Sequence, residues 1–457
     1  MIATQKEKVN MKTEGEEYQM YIQDIIGDHK SKHSRTSIDF LIVRICDKYD
    51  GLASFIVNFC MQMLDFAINS SVVEFGSNTQ IPEAYDLLSN PASEFKCILS
   101  VFNQESLIDV SIILLCSLKN FIIKNNIYVN KLKTIFDSYI HQLHSVGSDL
   151  IKFDVCLVYD VFLAYFMDEK QLINSDLEFL TKRLDFLFGC MMLYEKNPGT
   201  SSQAAKAITS IITVTNTDNI DSKFISSAFR QLICHIENID IAIFFDVLID
   251  ILENCTIEEN LIQAVSFSSK RILKEIKSPK FDEKSNKVIY GKCFNIIKTI
   301  IKDNDLMHKE NFENDVIIPI VGNTLSIEAL EQSLEPLMSY LKNPKKINFE
   351  DDLLEILKII LSRSKTTTPL AKDLFVHLVK VIEKIGGMDI LLYKILNMYI
   401  TKDDGFIFGN EVLLDNLVKM LIDCLDNDEE FEFSPICASV LLQILPNVII
   451  IFFSIKN

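Results

Sequence analysis

Residues Asp109–Ser145 read DVSIILLCSLKNFIIKNNIYVNKLKTIFDSYIHQLHS. The first part is apolar enough to raise the question of a membrane span, and the second has the spacing of an ordinary amphipathic helix. The uncharged run stops at Lys119, well short of the roughly 20 apolar residues that a bilayer requires. Further on, Leu132, Ile135, Phe136, Tyr139, Ile140 and Leu143 recur at the i, i+3, i+4, i+7 spacing of one helix face. The stretch therefore predicts a buried helix, a polar break at KNNIYVN, and a second helix with one apolar side.

The same stripe returns in DFLIVRICDKY, DLEFLTKRLDFLF, AIFFDVLIDILENC and DDLLEILKIILSRS, between breaks such as SVGSD, EKNPGTSS, KSPKFDEKSN and SKTTTPLAK. Helix pairs are expected near 32–69, 103–144, 147–194, 200–236, 240–276, 284–323, 326–363, 369–401 and 408–455, a rhythm of roughly 35–45 residues that belongs to HEAT and armadillo-like solenoids. One such hairpin cannot bury both of its apolar faces, so it has to stack on its neighbours. The expectation is an all-α chain, a single elongated solenoid over 1–457 of about nine to ten helix pairs, with a disordered start at 1–13. An ordinary all-α domain is the alternative.

Composition points the same way. Only 13 Gly and 10 Pro in 457 residues leave little material for phosphate loops, Rossmann turns or β-barrels. The 63 acidic against 45 basic residues give a net charge of −18, a surface that repels nucleic acid and anionic lipid and suits basic partners. Such a surface also serves solubility alone. The 11 Cys stand singly, without a CxxC, mostly within apolar helical stretches, as small buried hydrophobes of a reducing compartment do. No signal-peptide core opens the sequence. Ala438–Ile455 is an uncharged C-terminal stretch, but Gln443, Pro446 and Asn447 interrupt it; a buried helix pair split at Pro446 is expected, with a tail anchor as the rival reading.

The segment GEEYQMYIQDII (Gly15–Ile26), the helix pair that follows it, and SLIDVSIILLCSLKNFIIKNNIYVNKLKTIFDSYIHQLHSVGSDLIKFDVCLVYDVFLAYF (Ser106–Phe166) carry a resemblance. In order and spacing, residues 14–215 resemble the middle region of β-karyopherins, the importin-β superfamily, in the importin seven/eight branch; the re-exporter of importin-α is a close relative of that pattern. The matching positions are Glu16, Glu17 and Tyr18 in the acidic element and Ile127 and Tyr128 in the KxxIY break. The resemblance implies a nuclear transport receptor that shuttles between cytoplasm and nucleus through the pore. It implies three kinds of partner: basic protein cargo, the Ran GTPase and FG-repeat nucleoporins. Family members are longer and carry N-terminal HEAT repeats that bind Ran. This sequence is expected to begin after them, and so to respond weakly to Ran.

Chemistry for catalysis is thin, and no enzyme activity, cofactor or metal is expected. His141 and His144 stand one turn apart, as do His29 and His33, a metal-compatible spacing without an evident third ligand. Gly386–Gly387 closes LVKVIEKIGG as a helix C-cap would. The acidic clusters are the candidates for basic-cargo contacts. They are Asp426, Asp428, Glu429, Glu430 and Glu432, interleaved with Phe431 and Phe433, and the trio Glu350, Asp351 and Asp352. Each has a plainer reading. The trio heads a predicted helix, where carboxylates suit the dipole whatever the function, and the 426–432 run fits a solvated loop. A HEAT scaffold or adaptor subunit of a cytoplasmic complex is the alternative function.

Overall fold

The computed structural model describes residues 42–46, 48–69, 104–138, 140–145, 148–163, 165–166, 177–215, 221–237, 239, 241–255, 257, 260–277, 284–307, 324–342, 350–385, 390–402, 405–426 and 438–446. These are helical almost throughout, consistent with an α-solenoid. The chain divides into two compact units, Met1–Ala228 and Phe229–Asn457.

In the first unit, α1 (Asp50–Asn69) packs on α2 (Gln104–Ser117). The short α3 (Lys119–Ile123) and α4 (Asn126–Ser138) follow, then a 3-10 turn at Ile140–Ser145. Next come α5 (Asp149–Val158), which continues into a single π-turn at Tyr159–Leu163, then α6 (Leu177–Met191) and α7 (Pro198–Val214). The apolar run that raised the membrane question is α2. It is packed by α1 and α5, which is why it is apolar on more than one side: Leu107, Ile108, Ile112, Ile113 and Leu115 are all buried. Burial of each such side chain is worth roughly 1.5–3 kcal/mol, far more than its helix propensity. The expected break at KNNIYVN narrows to Lys124–Asn125, and Lys119 starts the extra short helix α3. In the amphipathic half, Leu132, Ile140 and Leu143 are buried as the stripe predicts.

Helix α8 (Ser222–Ile236) contains the boundary between the units. The second unit then has α9 (Ala242–Asn254), α10 (Leu261–Lys277) and α11 (Lys284–Asp303). Two three-residue strands, β1 (Asp305–Met307) and β2 (Thr324–Ser326), pair in parallel. After them come α12 (Ile327–Met338), α13 (Glu350–Arg363), α14 (Pro369–Ile385), α15 (Ile390–Thr401) and α16 (Glu411–Asp426), with residues 438–446 again helical. The ladder is a departure from the sequence reading: β1 directly follows α11, within a stretch read as a helix pair near 284–323.

Each helix of this unit touches the next but one along the chain. One row runs α9, α11, α13, α15; a second runs α10, α12, α14, α16, with the 3-10 turn Ser339–Lys342 bridging α12 to α14. The polar breaks of the sequence become helix starts. Thr368 Oγ1 accepts from the Ala371 amide at 3.2 Å ahead of Pro369, the first residue of α14. In unit 1, Asn197 Oδ1 accepts from the Thr200 amide at 3.2 Å ahead of Pro198, the first residue of α7. Among the described residues, no helix is long and apolar enough to cross a membrane. Of Ala438–Ile455, only 438–446 is described, with Val440 and Ile444 buried.

Candidate binding surface

The acidic trio does head a helix. Glu350, Asp351 and Asp352 open α13, where the helix N-terminus favours carboxylates. Asp351 is exposed and Asp352 half-buried. Asp352 is also engaged: its Oδ1 lies 3.2 Å from Lys298 Nζ on α11, and the same ammonium holds Glu355 Oε2 at 3.2 Å. A lysine shared between two carboxylates one turn apart ties neighbouring helices of one row together. Lys292 makes the corresponding pair with Asp246 on α9. The row therefore reads acid, base, acid from α9 through α11 to α13. Part of the charge assigned to cargo from the sequence is engaged within the fold at Asp352, while Asp351 is exposed to solvent.

Asp426 is the last residue of α16. Asp428, Glu429, Glu430 and Glu432 lie outside the described residues, as do Glu16, Glu17, Tyr18, His29, His33, Gly386 and Gly387. Ile127 and Tyr128 part company. Tyr128 is buried and its hydroxyl meets Asn58 Nδ2 at 3.3 Å, whereas Ile127 is 66% exposed.

The densest polar chemistry is one that sequence reasoning missed, around the π-turn of unit 1. A π-turn inserts one residue into a helix and re-aims the side chains on either side of it. Asp160, within it, accepts from Gln203 Nε2 at 3.0 Å and from Ser210 Oγ at 2.6 Å. Those two partners and Lys206 share one face of α7, at i, i+3 and i+7. Burial pushes the Lys206 ammonium down, and Asp160 opposes that shift. The neighbouring Tyr159 hydroxyl lies 2.6 Å from His144 Nε2. The His144 ring stacks on Phe186 at 4.1 Å and 9°, with Tyr159 edge-on to both.

Burial sets the protonation of the His144–Tyr159 pair at neutral pH. Burial, then the neighbouring Arg183 and His141, hold the His144 pKa down to about 4, and burial holds Tyr159 well above the ordinary phenol range. The phenol is therefore the donor and the neutral imidazole Nε2 the acceptor. With Nε2 so occupied and the ring face covered, His144 serves packing, while His141 is exposed. Among the described residues, no group of three or more His, Cys, Asp or Glu is arranged to hold a metal ion. The thiols fit the same picture. Cys46, Cys60, Cys156, Cys190 and Cys293 are buried, and burial pushes Cys60 up to about 12, while Cys234 is exposed. A histidine with its pKa near 4 beside a phenol that stays protonated is a poor acid–base pair at neutral pH and a good lock between the 3-10 turn, the π-turn and α6.

Comparison with protein-family models and with curated proteins finds no match for this chain.

Proposed function

We propose that this chain is a HEAT-type helical-repeat binding protein, and within that class a β-karyopherin-like nuclear transport receptor for basic protein cargo. The observation that carries the repeat reading is the double row in the second unit, in which helices pack on the next but one, α12 reaching α14 through the 3-10 turn Ser339–Lys342. Stacked helix pairs produce that pattern, and they present long surfaces for protein partners. The transport reading rests on the resemblance over residues 14–215 and on the net charge of −18, which suits Lys/Arg-rich cargo. In this reading the chain binds and is not an enzyme. Asp351 at the head of α13 contributes to cargo binding, along with the 426–432 acidic run. Passage through the nuclear pore uses weak contacts with FG-repeat nucleoporins, and the protein moves between cytoplasm and nucleus.

The test immobilises the full chain and exposes it to nuclear lysate with and without GTP-locked Ran. Release of bound basic protein by Ran marks an import receptor, and capture only with Ran marks an exporter. Stable partners indifferent to Ran would overturn the transport reading in favour of a HEAT scaffold or adaptor subunit.

A further inference from the structure

Helix α1 buries one side, through Ala53, Val57, Cys60, Leu64 and Ala67, yet its opposite side is also apolar. There Leu52 is 38% and Phe55 64% exposed, and Phe55 stacks on Phe59 at 6.1 Å. Single exposed apolar residues are ordinary, but here Leu52, Phe55 and the half-buried Phe59 share one arc of one helix. Helix α4 borders this arc. Asn58 joins the two: its Nδ2 donates to the Ser54 carbonyl at 2.9 Å and approaches the Tyr128 hydroxyl at 3.3 Å, while its Oδ1 accepts from Lys131 Nζ at 3.0 Å. Ile127, one turn before Lys131 and on the same side of α4, is 66% exposed. The exposed Leu52 and Phe55 of α1 and the exposed Ile127 and Lys131 of α4 thus lie on two helices that Asn58 joins.

The charge of this surface differs from that of the whole chain. The sequence as a whole carries −18, but between Asp109 and Asp137 every charged residue is a lysine: Lys119, Lys124, Lys131 and Lys133. Lys124 and Lys131 flank Ile127 and are exposed; at the start of α1 the exposed Lys48 and Asp50 offset each other. The Lys131 ammonium has three protons, and Asn58 takes one.

We propose that the exposed apolar surface of the neighbouring helices α1 and α4 docks an acidic segment of a partner protein whose large apolar side chains pack on Phe55 and Ile127. The apolar side chains take the anchors, and the exposed lysines pair with carboxylates beside them. The basic cargo of the proposed function would be repelled here, so this surface is separate from that one and stands or falls independently.

The test measures fluorescence anisotropy of the full chain with three labelled probes. One is a short Glu/Ala helical peptide bearing Phe and Leu along one face, the second is the same peptide with every Glu replaced by Lys, and the third is an uncharged Phe-Gly repeat peptide. The Glu probe is expected to bind at least about tenfold more tightly than the other two, and to weaken as salt rises. Phe55→Ser, Ile127→Ser and Lys124→Glu should each weaken it about tenfold. All three side chains are exposed, so circular dichroism and thermal midpoint should stay unchanged. Equal binding of the Lys or Phe-Gly probe, indifference to the three substitutions, or no binding of the Glu probe would overturn the proposal.

Discussion

The junction of α5 with α7 in the first unit and that of α11 with α13 in the second join neighbouring helices by different means. In the first, the Asp160 carboxylate is held by Gln203 and Ser210 in a part-buried seam, and α7 begins with the buried run Thr200, Ser201, Ser202 and Gln203. In the second, Lys298 pairs with Asp352 and Glu355, whose side chains are 35% and 45% exposed, above a core of aliphatic side chains such as Ile297, Ile301, Leu353 and Leu357. A buried polar group that loses its partner bears its full desolvation penalty, whereas a solvated ion pair has water as a substitute. Polar substitutions should therefore weigh heavily in unit 1 and lightly in unit 2, where apolar ones dominate.

The largest effect is expected from Phe375→Ala in the second unit. Phe375 is fully buried on α14 and meets Tyr399 at 5.0 Å and Phe406 at 5.7 Å, both edge-on, while Tyr399 donates to the Ala371 carbonyl at 2.6 Å. Removing the ring leaves a cavity among aromatics anchored from both sides, at a cost of about 3–5 kcal/mol. Urea unfolding followed by tyrosine fluorescence would show it. A loss below about 1 kcal/mol would mean that apolar packing does not hold the rows.

Asp160→Ala comes next and breaks the comparison most directly. It strips Gln203 Nε2 and Ser210 Oγ of their acceptor, and about 2–3 kcal/mol of stability should go with it. Asp160→Asn keeps an acceptor oxygen and should lose less. Equal, small losses for both variants in urea titrations would show that the seam is wetter than its geometry indicates.

Periodicity exposed the helices, because each must turn an apolar stripe inward, and the polar breaks marked their starts well: both Asn197–Pro198 and Thr368–Pro369 became capped N-termini. The rhythm of the pairs gave a period without a phase. Among the helix contacts are α6 with α7 and α10 with α11, which straddle the pair boundaries read from the sequence. The π-turn left no trace, since one inserted residue barely disturbs a stripe that α5 shares with its neighbours. The tie of Asp352 to Lys298 spans 54 residues, and that of Tyr128 to Asn58 spans 70, so no local pattern could announce either. For the same reason, sequence alone offers the trio at 350–352 to cargo as a group, although Asp351 is exposed and Asp352 faces Lys298. His144 was noticed for its spacing from His141, while the ring that covers it, Phe186, comes from another helix.

Acid should expose the polar seam through His144. Its folded pKa of about 4 lies below the ordinary 6.5, so the unfolded chain binds the proton more readily. Stability from this group is full above pH 6.5 and falls as pH drops from there toward 4. Because the side chain is only half-buried, the loss is discounted to about 1 kcal/mol. Thermal midpoints measured across that window should fall more steeply for the parent chain than for His144→Gln, which cannot take up the proton. Parallel curves would mean that the imidazole is more solvated than its stacking on Phe186 implies.

The smallest effect on stability, and the most informative about binding, is Lys298→Met. Methionine keeps the apolar stem that lies between α11 and α13 and removes only the charge. Asp352 and Glu355 are exposed enough for water to replace it, so the loss should stay below about 1 kcal/mol, well under that of Asp160→Ala. If it exceeds that of Asp160→Ala, the contrast between the two units collapses. The same change releases two carboxylates beside the exposed Asp351 and makes the head of α13 more negative by one charge. A Lys/Arg-rich peptide titrated by anisotropy at low salt should then bind a few-fold more tightly than it binds the parent chain, and the gain should vanish as salt rises. A salt-insensitive or unchanged affinity would separate the two roles proposed for these residues: α13 would keep its carboxylates for the helix row and its dipole, and would not be the proposed site for basic partners.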